Sequence, residues 1–453
     1  MRSYENNLTQ GSVFKKLWGF TLPLIGANLL QILYGMVDLY IVGRFAETSD
    51  VSAVSVSTTV LSAFLMFLIG LAVGGTVVVG QKFGAGEKAA LSSVAATAFS
   101  LAWIVGAAVM VVVAAMARPI LGWINTPEQA LRGATSYILI CSVGYIFQSV
   151  YNMLAGILRG MGDSKSPLLY VAVATVVNIV SDYILVAVFG LGAAGTAIAT
   201  VFAQLLCMLF AIFHVRKRDF PFDFRLKSYR LVKKDAAALF RTGIPIALQQ
   251  ALVLFSFVIV AAIINRHGLY ASAAAGILDK VFLFATIPTN AFHASISAMV
   301  AQNIGARSEE RAIRCLRYGL LFSFLFAFAF FLTGVFFPAQ TLRIFTSDSG
   351  VVAEGVKYYA GYKYDYLICS VAFCINGFIN GTGHTKLTLI ANLISTYAVR
   401  IPACILVGTV WQFGMHGIGY ALPAATVVQV VIGAAFFLSG RWKSGALTQA
   451  AEP

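Results

Sequence analysis

The chain has 453 residues, 59% of them apolar and 11% charged, with a net charge of +14 and a mean hydropathy of +0.84. A soluble domain carries about a quarter charged residues, so the composition excludes a water-soluble protein and points to many segments that cross lipid. The positive charge does not imply a nucleic-acid partner. Lys and Arg fall in short stretches between apolar runs, which is the pattern that orients a chain in a membrane.

Twelve apolar segments are expected, at 18–42, 51–79, 91–116, 130–156, 167–189, 193–215, 238–264, 272–300, 311–336, 352–378, 386–410 and 417–439. The first already breaks the rule that lipid excludes charge, because it carries Asp38. An ionised side chain deep in hydrocarbon costs at least ~2.5–3.5 kcal/mol, and intramembrane acids are functional by default. Gln31, Tyr34 and Asp38 recur at i, i+3 and i+7 and so share one helix face, a polar stripe suited to the wall of a water-filled cavity.

The second and third segments are joined by a loop with Lys82 and Lys88, and the fourth and fifth by one with Arg159 and Lys165. The stretch 160–166 reads GMGDSKS, superficially a phosphate loop. It lacks the Gly-Lys-Ser/Thr order and the preceding strand, so a tight turn is expected there and nucleotide binding is not. The longest connection, 216–235, is strongly basic. These loops share one side with the amino terminus and with Arg441 and Lys443, and by the positive-inside rule that side is cytoplasmic. Both termini are therefore expected inside, in a multi-pass protein of the cell membrane.

Depth brings the polar residues of the first half together. Asp38 lies about 8 Å below the outer end of the first helix at 1.5 Å per residue, and Asp182 about 10 Å below the end of the fifth. Asn178 is one turn below Asp182 on the same face. Thr200 in the sixth segment and Tyr137 in the fourth fall at similar depth. Oxygen ligands of this kind suit a hard cation such as Na⁺. A carboxyl shielded from water beside a second carboxyl is equally suited to carry a proton.

An internal repeat organises the whole chain. Gly80-Gln81-Lys82-Phe83-Gly84-Ala85 returns as Ala301-Gln302-Asn303-Ile304-Gly305-Ala306, and Arg159-Gly160-Met161-Gly162 as Asn380-Gly381-Thr382-Gly383, both displaced by 221. Leu22-Pro23 returns as Ile244-Pro245, and Gly192 and Gly195 as Gly414 and Gly417, displaced by 222. The expected fold is an all-α polytopic membrane protein of twelve transmembrane helices in two pseudo-symmetric six-helix bundles. Its amino-terminal lobe spans 1–215, a basic cytoplasmic linker 216–235, and the carboxy-terminal lobe 236–453. Six spans per half give both halves one orientation, and secondary transporters bind substrate between such repeats. The second half does not repeat the acidic set: at an offset of 222, Asp38 becomes Val260, Asn178 becomes Arg400 and Asp182 becomes Cys404. The charges Asp279, Lys280, Lys363, Asp365 and Arg400 are expected to pair or to sit at the interface.

Six cysteines lie inside apolar segments without a CxxC pair, and five histidines show no metal-ligand spacing. Packing is the expectation for both. An ion gradient must then supply the energy, since no ATP-hydrolysing motif is present.

On Pro23, the Gly80-Gln81…Gly84-Ala85-Gly86 loop, Leu158-Arg159-Gly160-Met161-Gly162-Asp163, Asn178…Asp182 and Val300-Ala301-Gln302-Asn303-Ile304-Gly305-Ala306, the chain resembles the multidrug and toxic compound extrusion (MATE) family over its full length, and its DinF-like branch in particular. The resemblance implies a cation-driven drug antiporter rather than an enzyme. It implies Na⁺ or H⁺ binding at Asp38, Asn178, Asp182 and Thr200, and substrate contact near Gln31, Tyr34, Tyr137 and Asn152. No cofactor beyond the coupling ion is implied. The partners implied are small-molecule xenobiotics and the bilayer, with no nucleic acid, and the transporter is expected to be a monomer. The NorM-like branch also has acids in the seventh and tenth helices. Here the seventh has Gln249 and Gln250, and Cys369 stands in the tenth, so no cation site is expected in the second lobe. The rival readings are a lipid-linked oligosaccharide flippase of the same superfamily, which would prefer a larger and more cationic cleft, and a membrane acyltransferase. The latter would need a catalytic His with a partner acid, which His293 lacks.

Overall fold

The computed structural model describes residues 7–217, 220–222, 224–225 and 228–443. The expectation that both termini are cytoplasmic falls on residues 1–6 and 444–453, outside the described residues, as do Arg218 and Lys227 of the basic linker. Among the described residues the chain is helical and has no strand.

The first repeat comprises α1 (Val13–Phe45), α2 (Thr48–Gly84), α3 (Lys88–Trp123), α4 (Glu128–Gly160), α5 (Lys165–Asp182) and α6 (Gly192–Arg216). The second comprises α7 (Lys233–Asn265), α8 (Leu269–Gly305), α9 (Glu309–Phe336), the short α10 (Pro338–Arg343) and α11 (Ser349–Gly381). It closes with α12 (Thr385–Leu393), α13 (Ile401–Ile405) and α14 (Gly414–Leu438). Helix lengths repeat with the sequence. Both α1 and α7 have 33 residues, α2 and α8 have 37, α4 and α11 have 33, and α6 and α14 have 25. Among the described residues, eleven helical segments are long and apolar enough to cross a membrane. The twelfth, α11, is long enough, but Glu354, Lys357, Lys363 and Asp365 dilute its apolar character.

Two compact units emerge. The first holds Leu22–Ala247, and the second holds Leu8–Thr21 with the residues from Leu248 on. The division therefore runs through α1 and α7 rather than through the 216–235 linker. Each unit includes the opening turns of the other repeat's first helix. In the second unit, Leu8 N donates to Gln302 Oε1 at 2.9 Å and Thr21 Oγ1 donates to Ser295 Oγ at 2.8 Å. In the first, Ser93 Oγ donates to Asp235 Oδ2 at 2.5 Å. The linker is fastened to the first unit as well: the rings of Phe222, Phe224 and Tyr229 lie 5.4, 5.1 and 5.8 Å from that of Phe99 on α3.

Within the first unit, α4 is the hub, packed against α2, α3 and α6; within the second, α11 packs in the same way against α8, α9 and α14. Lipid offers no hydrophobic drive for helix association, so close approach at small residues has to hold such bundles. A Cβ at Gly156 would meet the Ala72 carbonyl oxygen at 2.5 Å, and one at Gly160 the Thr76 carbonyl oxygen at 2.8 Å. At a displacement of 221, Gly377 would meet the His293 carbonyl oxygen at 2.5 Å, and Gly381 that of Ser297 at 2.7 Å. The same helix pair is closed by the same glycines in both repeats.

The 160–166 segment is a tight turn. Gly162 adopts φ +89°, and the Asp163 carboxylate accepts from the backbone N–H groups of Lys165 and Ser166 at 3.0 Å each, which starts α5. At its other end α5 widens into a π-helical stretch at Tyr183–Val188, and the second repeat does so at Leu406–Val410. The second repeat carries a further π-helical stretch, Ile394–Arg400, whose counterpart in the first repeat is regular α-helix.

Candidate ion site and drug cavity

The first unit contains a cavity of about 400 Å³, within the 300–1,000 Å³ range of small-molecule sites. Four long helices wall it with residues at helical spacing. Helix α4 gives Tyr137, Cys141, Tyr145, Gln148 and Tyr151; α1 gives Gln31, Tyr34, Gly35 and Asp38; α6 gives Thr200, Ala203, Gln204 and Cys207; α2 gives Val54, Ser55, Thr58, Leu61, Ser62 and Leu65. Helix α5 adds Val171, Ala174 and Thr175. The lining contains no Lys or Arg, and Asp38 is its single formally charged group. Aromatic rings, a thiol or two and isolated amides around one acid suit flat apolar compounds with a positive charge.

Behind Asp38 lies the second feature. Continuing the cavity face of α5 past Thr175, at three- and four-residue steps, gives Asn178 and Asp182. Both are fully buried, at 0% exposure, and Asp38 is 6% exposed. Asp38 lies beside both of them. Neither oxygen of Asp182, neither polar atom of Asn178, nor Oδ1 of Asp38 has a hydrogen-bond partner. Buried polar atoms are almost always paired. Four of these atoms are oxygens, and together they could ligate a cation or hold protons, whereas the Asn178 Nδ2 can only donate.

Tyr34 and Thr200 connect the two features. Tyr34 Oη donates to Thr200 Oγ1 at 3.1 Å, and both side chains line the cavity. Of the residues expected at the site, Gln31, Tyr34, Asp38, Tyr137 and Thr200 face the cavity, and Asn178 and Asp182 stand behind it. Asn152 is not among the lining residues. It follows Tyr151 by one position and so points about 100° away from that residue's face; its Nδ2 is buried without a partner. Sequence reasoning passed over Cys141, Tyr145, Gln148, Tyr151 and Gln204. A signal for the α4 set was present, since Tyr137, Cys141, Tyr145 and Gln148 follow one another at steps of four, four and three.

In the second unit, His293 Nε2 lies 3.3 Å from the amide nitrogen of Asn380. Asp365 on α11 is buried at 3% exposure and Arg400 at 8%. The tenth long helix thus does carry a buried acid, one turn before the Cys369 on which the sequence reading rested.

Comparison with known proteins agrees with this architecture. The MatE family model matches residues 23–184 and again 245–406, two copies displaced by 222. The chain is 27% identical over 452 residues to the probable multidrug resistance protein YpnP of Bacillus subtilis (strain 168), covering 98% of each chain. It is 26% identical over 442 residues to the probable multidrug resistance protein NorM of Thermotoga maritima, covering 96% of this chain and 94% of that one. The structure of an outward-facing multidrug resistance MATE family transporter of the MOP superfamily superposes with a TM-score of 0.89 at 19% identity, covering 99% of both chains. The duplicated match spans most of this multi-pass membrane protein, and the chain belongs to the MATE family.

Proposed function

We propose that the protein is a polyspecific efflux antiporter that exports amphipathic, often cationic compounds in exchange for Na⁺ or H⁺ by alternating access. The supporting observation is the double position of Asp38, which lines the drug-sized cavity and lies beside the orphaned Asn178–Asp182 pair. One carboxylate shared by two sites makes their ligands compete. A cation held by Asp38, Asn178, Asp182 and Thr200 neutralises the charge that a cationic drug would otherwise meet. A drug held against Gln31, Tyr34 and Tyr137 leaves the acid committed to it. Exchange becomes obligatory when the two ligands prefer different conformations.

Helix α1 is suited to respond. The most apolar stretch of α1 is 17% buried, against 61% for α2, so the helix carrying Asp38 is held by few neighbours. The cavity's lack of Lys and Arg argues for neutral and cationic passengers over the pyrophosphate-linked substrate of a flippase. The names of the relatives, multidrug resistance and multidrug export proteins, support the same substrate class. The reading includes residence in the cell membrane as a monomer with cytoplasmic termini.

The test is Asp38→Asn. It is expected to abolish drug export at unchanged expression in a cell-based dye-efflux assay, and full export by the variant would contradict the proposal.

A further inference from the structure

The positions that line the drug cavity have counterparts in the second unit, and there their side chains pack on one another. The glycine contacts set the register. Gly156 and Gly160 of α4 approach Ala72 and Thr76 of α2, and Gly377 and Gly381 of α11 approach His293 and Ser297 of α8, displaced by 221 throughout. At that displacement the cavity-lining Tyr137, Cys141 and Tyr145 become Tyr358, Tyr362 and Tyr366. Thr58 and Leu61 of α2, which also line the cavity, become Asp279 and Phe282.

These five residues of the second unit form one cluster. Tyr362 is flanked on α11 by Tyr358, with ring centroids 4.9 Å apart at 29°, and by Tyr366, at 6.2 Å and 38°. Phe282 stacks on Tyr362 from α8 at 5.2 Å and 19°, and lies 5.6 Å from Tyr366. All of these separations fall in the range of aromatic pairs that attract. The Tyr362 hydroxyl donates to Asp279 Oδ1 at 3.3 Å, and the three tyrosines are at most 2% exposed. The first unit keeps the two outer tyrosines but has a thiol, Cys141, for the middle ring and Leu61 for Phe282. Its Tyr145 still meets α2 at the same position, donating to the Leu61 carbonyl oxygen at 2.6 Å. A cysteine is smaller than a tyrosine by a whole phenol, and packed interiors close such gaps only in part.

We propose that this one position decides which unit takes a passenger. Cys141 leaves a slot between Tyr137 and Tyr145 that receives a planar aromatic ring of the substrate, and Tyr362 is the built-in ring that occupies the matching slot of the second unit. The stack around Tyr362 is thus an internal copy of the contacts a substrate ring makes in the first unit, and the protein binds one such passenger at a time. The inference deepens the reading of the first cavity as the drug site and rests on it.

The experiment is equilibrium dialysis of the purified full-length protein in nanodiscs against two labelled probes. Ethidium is a planar aromatic cation, and tetrabutylammonium is a cation without a ring. The wild type is expected to bind one ethidium. Cys141→Tyr fills the slot and is expected to lower the ratio of ethidium to tetrabutylammonium affinity by at least about tenfold, through loss of ring contacts on both sides. Tyr362→Ala is expected to raise the ethidium count to two. Tyr362→Phe, which keeps the ring and loses only the bond to Asp279, is expected to leave it at one. An unchanged affinity ratio for Cys141→Tyr, a count of one for a folded Tyr362→Ala, or a count of two for the wild type or Tyr362→Phe would overturn the proposal. Should Tyr362→Ala not fold, Tyr362→Cys, which copies the first unit, takes its place, and should that fail as well the Cys141→Tyr ratio decides. A separate arm, Asp38→Asn, is expected to weaken both probes. Wild-type affinity for both would count against the first-cavity reading, whereas the ratio in Cys141→Tyr reports on the slot.

Discussion

Tyr34 on α1 donates a hydrogen bond to Thr200 on α6 at 3.1 Å, across a cavity that both residues line. Helix α1 is the least buried of the apolar spans, so one polar tie matters more to its position than it would to a packed helix. Removing it through Thr200→Val preserves volume. The change is expected to cost about 0.5–1.5 kcal/mol in the conformation that makes the bond. By that arithmetic the population of the conformation that makes the bond, relative to one that lacks it, shifts by about twofold to tenfold. Tyr34→Phe should shift it by a similar amount, since it deletes the same bond. Single-molecule fluorescence between labels on α1 and α6 checks both; unchanged populations would show that the bond does not hold the helix.

The glycines that close α2 on α4 and α8 on α11 give a stability prediction with an internal replicate. Gly156→Ala and Gly377→Ala each place a Cβ at 2.5 Å from a carbonyl oxygen. Each is expected to destabilise by about 1–3 kcal/mol through forced backbone separation. Gly43→Ala is the control, because nothing lies within 4 Å of that position. Thermal unfolding in detergent should lower the midpoint for the first two variants and leave the control unchanged.

Asp50 at the start of α2 reaches the start of α6, where its Oδ1 accepts from the Ala193 backbone N–H at 3.2 Å. The first residue of α6, Gly192, stands at φ +53° against the same carboxylate, leaving no room for a side chain. Asp50→Ala is expected to cost about 0.5–2 kcal/mol as a lost helix-start partner. Asp50→Asn, which keeps the acceptor and loses the charge, should cost about 0.3–1 kcal/mol. Gly192→Ala should be the most harmful of the three. Hydrogen exchange of the Ala193–Thr196 amides reads the effect locally.

Much of this was legible in the sequence because lipid leaves few options. Backbone groups in hydrocarbon must be satisfied within helices, so apolar runs became spans, and the repeat offset fixed the duplication that the helix lengths and the paired glycine contacts reproduce. Asp38, Asn178 and Asp182 were legible because a buried charge is improbable without a use. The division of the chain was not. The linker is conspicuous in composition, but the boundary between compact units follows packing and falls inside α1 and α7, where composition does not change. Asn152 shows the limit of carrying a residue over by resemblance: one position on a helix decides whether a side chain faces a cavity, and Tyr151 takes that face here.

The central claim is that a cation at the Asp38 cluster drives export of a compound held in the adjoining cavity. Drug transport by proteoliposomes under separately imposed Na⁺ and pH gradients tests it most directly, with the wild type and Asp38→Asn side by side. The account predicts that one of the two gradients drives concentrative transport by the wild type and that neither does so for the variant. Concentrative transport by Asp38→Asn equal to that of the wild type would contradict it.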